Sequence, residues 1–130
     1  MILLDTHVLL WLLSDTQRIS APANVAIGQA RRDGFSLAIC AISLLEISIL
    51  ARKQRIQVGG GLEPLLVDIE SKFVVLPIAS RACVRLVELP DVYPSDPVDQ
   101  MIGVTALAEG IPLVTADEKI RKAKAFETIW

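Results

Sequence analysis

Four short stretches of this chain are apolar at nearly every position rather than at every second one: residues 1–4 (MILL), 35–41 (FSLAICA), 73–78 (FVVLPI) and 112–116 (PLVTA). A strand with one solvated face alternates apolar and polar residues. A strand that does not alternate has to be covered on both sides. The segments between these runs carry helix signals. Thr6 can cap a helix running to about Leu13, and Ser20-Ala21-Pro22 opens a second helix that Gly34 stops. Ser43 to Glu46 has the form of a capping box, opening a helix to about Gln54. Further helices are expected over 62–71, 80–89 and from Asp96-Pro97 to Gly110, with a short basic one after the fourth strand; residues 127–130 suit a fifth, edge strand. Helices alternating with doubly covered strands predict an α/β fold: an α/β/α sandwich with a central, mostly parallel sheet of four to five strands. At 130 residues, the expectation is a single domain, 1–130.

The longest apolar stretch, residues 37–50, is too short to span a bilayer and contains Glu46, so no membrane role is expected. The opening residues lack the basic region of a secretion signal. Cys40 and Cys83 show no metal or disulfide spacing and read as buried free thiols, which points to the cytoplasm. The net charge of −2 does not advertise nucleic acid, although basic residues cluster at 31–32, 52–55 and 119–124. A hydrophobic content of 52% leaves apolar surface for a partner.

The acids are harder to explain. Asp5 ends a strand built for burial, where an ionised carboxylate is costly unless it is paired. Glu46 shares its helix face with Ile42, Ile49 and Leu50. Asp96 suits an N-cap before Pro97, while Asp99 shares a face with Ile102, Gly103 and Ala106. Thr115 to Glu118 again resembles a capping box, which leaves Asp117 without a structural task. In a parallel sheet, sites form outside the carboxyl ends of the strands. Asp5, Glu46, Asp99 and Asp117 all stand at or near such ends and would repel one another there. A divalent cation relieves that repulsion, and oxygen donors select Mg²⁺ or Mn²⁺.

The ordered segments LLDTHVLLW, AISLLEI, DPVDQMIGVTA and LVTADEKI resemble the PIN domain, in particular the VapC toxins of toxin–antitoxin pairs. The resemblance runs along essentially the whole chain. It implies a Mg²⁺- or Mn²⁺-dependent endoribonuclease with Asp5, Glu46, Asp99 and Asp117 as metal-holding catalytic acids. Thr6, Ser43 and Thr115 stand beside these acids, and Asp96 is an extra neighbouring one. Lys119, Arg121 and Lys122, just past Asp117, are candidates to hold the RNA backbone. The resemblance further implies a VapB-type antitoxin seated in an apolar groove, a homodimer, and a hetero-oligomer of the two proteins. The helices around Val8 to Leu13 and Ile47 to Ala51 are candidate faces for these contacts.

His7 has no assigned role, and Trp11 reads as core or interface rather than as a platform for a base. The alternative reading is a non-catalytic PIN-fold RNA-binding or scaffold module, against which the complete acid set argues. A haloacid-dehalogenase-type phosphatase would want an Asp where His7 stands.

Overall fold

The structure, a computed structural model, describes residues 1–130. In chain order it comprises β1 (Ile2–Leu4), α1 (Thr6–Ser14), α2 (Ala21–Arg32), β2 (Leu37–Cys40), α3 (Ile42–Arg52), α4 (Leu62–Lys72) and β3 (Val74–Leu76). Then follow α5 (Ser80–Cys83), α6 (Pro97–Glu109), β4 (Leu113–Val114), α7 (Glu118–Ala123) and β5 (Thr128–Ile129). Two 3-10 turns, Thr16–Arg18 and Val84–Glu88, fill in between. All five strands are parallel, in the order β3-β2-β1-β4-β5.

The period of two along each strand sends neighbouring residues to opposite faces. Leu4, Ile39 and Val114 join Val8, Leu9, Ile27, Ile47 and Ile69 in one core layer. Leu3, Ala38, Cys40 and Leu113 join Ile102, Ala106, Ile120 and Tyr93 in the other. Each inner strand is therefore apolar on both sides because helices cover both sides, the arrangement expected of a parallel sheet. No helix is long and apolar enough to cross a membrane.

The topology decides where a site forms. From β1 the chain moves outward through β2 to β3, then returns across the sheet to β4 on the other side of β1. The direction of winding reverses between β1 and β4, which opens a crevice at their carboxyl ends.

Three expectations need correction here. The helix expected over 80–89 is α-helical only to Cys83 and then tightens into the 3-10 turn, where Arg85 pairs with Glu88 and donates to the Leu107 carbonyl. Within α5, Ala82 is the residue turned inward, so Cys83 is exposed rather than buried. Finally, α3 begins at Ile42, with Ala41 already in right-handed helical geometry, so Ser43 is no cap.

Two helical glycines differ in what surrounds them. A Cβ at Gly103 in α6 would stand 2.5 Å from the Tyr93 hydroxyl oxygen and 2.9 Å from its ring carbon Cζ. Tyr93 is buried there with its hydroxyl donating to the Asp99 carbonyl at 2.9 Å, so it has little room to retreat. A Cβ at Gly28 in α2 would meet only the tip of the Arg32 side chain, at 3.4 Å. Gly28→Ala is therefore expected to raise stability by up to about 1 kcal/mol through helix propensity. Gly103→Ala should lower it by about 1–3 kcal/mol through overpacking. Urea unfolding checks both signs, and equal effects at the two sites would contradict this packing.

Candidate active site

Asp5 follows β1 directly, and its amide donates to the Val114 carbonyl of β4 at 3.0 Å. One carboxylate oxygen accepts the Thr6 amide at 2.7 Å; the other accepts the Thr115 hydroxyl at 2.6 Å. Asp5, not Thr6, is thus the N-cap of α1. The Thr6 hydroxyl is left to donate to Ser43 Oγ at 2.9 Å, and both side chains are fully buried. This contact ties the start of α1 to the start of α3 and explains why Ser43 does not close a capping box with Glu46. Burial pushes the Asp5 carboxyl above its ordinary range. The Thr115 hydroxyl, His7 and the Thr6 amide oppose the rise, and Asp117 adds to it.

The second expected capping box is also replaced. Asp117 itself caps α7, accepting the Ile120 amide at 3.0 Å, while its own amide donates to Thr115 Oγ at 3.1 Å. Thr115 thereby joins Asp5 to Asp117, and Glu118 turns outward to pair with Lys122. Asp96 caps α6 as expected, accepting the amides of Val98 and Asp99 at 2.8 and 3.3 Å.

Asp99 stands half-buried in the first turn of α6. Its carboxyl is pushed up to about 7, first by burial and then by the negative charges of Asp5, Asp96, Asp117 and Glu46. Four neighbours acting on one group show that the acids share a single electrostatic field. All five line one cleft of about 340 Å³ at the β1/β4 crevice, with His7 and Trp11 on its wall. A larger hollow, about 720 Å³, opens at the amino ends of β2 and β3, but Arg31 and Lys72 are its charged groups and no carboxylate lines it. Of the two, the acid cleft alone gathers carboxylates.

The donors are hard oxygens, suited to Mg²⁺ or Mn²⁺. They ring the cleft without closing on a point, since no three His, Cys, Asp or Glu side chains are grouped tightly enough to enclose an ion directly. Lys119, Arg121 and Lys122 lie on α7, and none of them lines the cleft. Tyr93, whose hydroxyl anchors the Asp99 carbonyl, was unmarked in a loop-like stretch of sequence.

Because the Asp99 carboxyl is more basic when folded, near 7 against an ordinary 3.8, the folded chain holds a proton that the unfolded chain has lost between those values. Its contribution to stability is complete below the lower value and disappears as pH rises through the upper one. Thermal melts in EDTA should show wild-type stability falling from pH 5 to pH 8. Asp99→Asn should flatten that fall and melt no lower than wild type at pH 8. An equally steep fall in the variant would remove Asp99 as its source.

A PIN domain family model matches residues 2–125. Ribonuclease VapC22 of Mycobacterium tuberculosis is 35% identical over 120 residues, spanning 92% of this chain and 89% of that protein. Among solved structures, VapBC2 from Rickettsia felis bound to promoter DNA superposes with a TM-score of 0.72 at 16% identity, covering 98% of this chain and 97% of the other. DNA-bound VapBC from Salmonella typhimurium gives 0.70 at 17% identity over 98% and 97%. A toxin–antitoxin complex from Klebsiella pneumoniae gives 0.65 at 22% over 97% and 95%. The structural likenesses speak to fold alone. With the family model spanning nearly the whole chain and a VapC relative matched along most of both sequences, the chain belongs to the PIN domain family as one of its VapC-type members.

Proposed function

We propose that this chain is a divalent-cation-dependent endoribonuclease, the toxin of a toxin–antitoxin pair acting in the cytoplasm, and that Asp5, Glu46, Asp99 and Asp117 form its catalytic site. The observation that carries this reading is the crowding of carboxylates around Asp99, which drives its carboxyl to about 7 in a cleft at the sheet's switch point. A Mg²⁺ or Mn²⁺ ion bound there supplies neutralising charge and activation of a water against a phosphodiester.

The rest is the work of the chain's own residues. Asp5 is held by Thr6 and Thr115 on separate oxygens, so its orientation is fixed before anything binds. Asp117 is fixed by capping α7, and Asp99 by its place in the first turn of α6. Glu46 comes from α3, whose start is set by the Thr6–Ser43 contact. Below about pH 7, Asp99 has to release its proton before it serves a cation, so cation affinity should fall with falling pH. Lys119, Arg121 and Lys122 remain candidates for more distant parts of an RNA.

The same reading assigns partners. An apolar groove of about 590 Å³, formed by Leu10 and Leu13 of α1, Ile56 and Val58 of the loop between α3 and α4, and Pro64 and Leu65 of α4, suits a segment of a VapB-type antitoxin. Ile47, expected at such a face, is instead fully buried core. Val84 and Val87 of the 3-10 turn are largely exposed, as is Val92, and are candidates for a homodimer contact.

Purified chain, free of antitoxin, should cleave RNA with Mn²⁺ or Mg²⁺ and stop in EDTA. Asp5→Asn and Asp117→Asn should slow cleavage by about 100-fold or more. Thr115→Ala, which acts through Asp5, should lie within the 10–100-fold range roughly typical of supporting contacts. Expression of the wild type alone should arrest bacterial growth, and Asp117→Asn should not. Cleavage that survives both EDTA and the Asp5 and Asp117 substitutions would rule this mechanism out.

A further inference from the structure

A second hollow, about 270 Å³, adjoins the acid cleft and shares His7 and Trp11 with it. Its charge is of the opposite sign. Arg18, from the 3-10 turn after α1, and Arg55, from the loop after α3, both line it. The Arg18 guanidinium carbon lies 4.5 Å from the centroid of the Trp11 ring. Trp11 in turn packs against Trp130, with ring centroids 5.9 Å apart. Neither arginine has an acid partner, for the chain's ion pairs are Lys72–Asp68, Arg81–Glu109, Arg85–Glu88 and Lys122–Glu118. Two exposed cations without acid partners thus line a hollow that shares two walls with a concentrated negative field.

That juxtaposition addresses a difficulty in the proposed reaction. RNA is a polyanion, this chain carries a net charge of −2, and five carboxylates surround the cleft. Even with a divalent cation in place the five carboxylates keep a negative excess, which cations next to the cleft offset by holding the neighbouring backbone. The α7 cations do not line the cleft, whereas the Arg18–Arg55 hollow shares His7 and Trp11 with it.

We propose that this hollow is a backbone-phosphate subsite for single-stranded RNA. With one phosphodiester at the acid cleft, Arg18 and Arg55 hold a nearby phosphate of the same strand, and Trp11 acts as a positioning residue that keeps Arg18 extended. Stacking leaves the in-plane N–H donors of a guanidinium free, which suits it to phosphate. The ring face of Trp11 beneath Arg18 is already covered, so the hollow reads backbone rather than base and adds affinity without sequence preference. This inference rests on the ribonuclease reading above.

Steady-state cleavage of a single-stranded oligoribonucleotide by the full chain in Mn²⁺ tests it. The Arg18→Gln/Arg55→Gln variant should raise KM about five- to tenfold, keep kcat within about twofold, and reduce the slope of log KM against log salt by about 0.7, one phosphate contact on a single strand. Trp11→Ala should raise KM in the wild type but add nothing to Arg18→Gln, because it acts through that residue. Arg31→Gln, at the far end of the sheet, should change neither quantity. Undiminished KM and salt slope in the double variant, with cleavage intact, overturn the subsite and leave the ribonuclease standing. A fall in kcat alone also overturns it, since the arginines would then be acting on the acids. So does loss of antitoxin affinity with RNA kinetics unchanged, which would assign the hollow to the protein partner. Failure of the wild type to cleave under any metal condition overturns both readings.

Discussion

The carboxylate of Asp5 is the point on which this molecule turns. It is almost wholly out of water, and the chain offers it no full counter-charge. Its two oxygens are instead divided between a backbone amide one residue away and a hydroxyl 110 residues away. The first bond starts a helix, and the second fastens the central strand to its neighbour β4. Neither offsets the cost of burying a charge, and the carboxyl remains harder to ionise than in water. The fold tolerates this because the surrounding strands are apolar on both faces and supply stability elsewhere.

The acids of the cleft serve two purposes with one set of atoms. Asp5, Asp96 and Asp117 each begin a helix, and each uses a carboxylate oxygen to satisfy a free amide there. A helix start is also where positive partial charge gathers, so three such ends aimed at one crevice moderate the repulsion among the acids. Asp99 shares in this only as a first-turn residue, and its carboxyl is pushed up to about 7. The helices that build the scaffold are thereby aligned by the residues proposed to do the chemistry.

Much of this was legible in the chain itself. Unalternated apolar runs implied strands covered twice, and acids placed just past several of them implied a common edge. Local pattern misled where a long-range contact was stronger. Ser43 and Thr115 both stand at capping-box spacing from a Glu, but their hydroxyls are claimed by Thr6 and Asp5, residues remote in sequence. Cys83 looked buried because its neighbours are apolar, yet a four-residue helix on the surface turns only Ala82 inward. Arg55 showed only as part of a basic cluster and Arg18 not at all, since nothing in the linear order tells that a turn after α1 and a loop after α3 share a wall. Tyr93 was hidden for a related reason. Its significance lies in the missing side chain of Gly103, which lets the ring lie against α6.

The placement of β1 between β2 and β4 has a temporal side. During synthesis β1 acquires its neighbour β4 only after residues 113–114 have emerged, and the cleft acquires Thr115 and Asp117 later still. Contacts of such long sequence separation form late, after the loop between them has been closed. A ribosome-bound chain that has reached α6 already carries Asp5, Glu46 and Asp99, but Thr115 and Asp117 have yet to join them. A cleft assembled in this order stays without two of its parts until residues 115–117 have emerged and the Thr115 hydroxyl has reached Asp5.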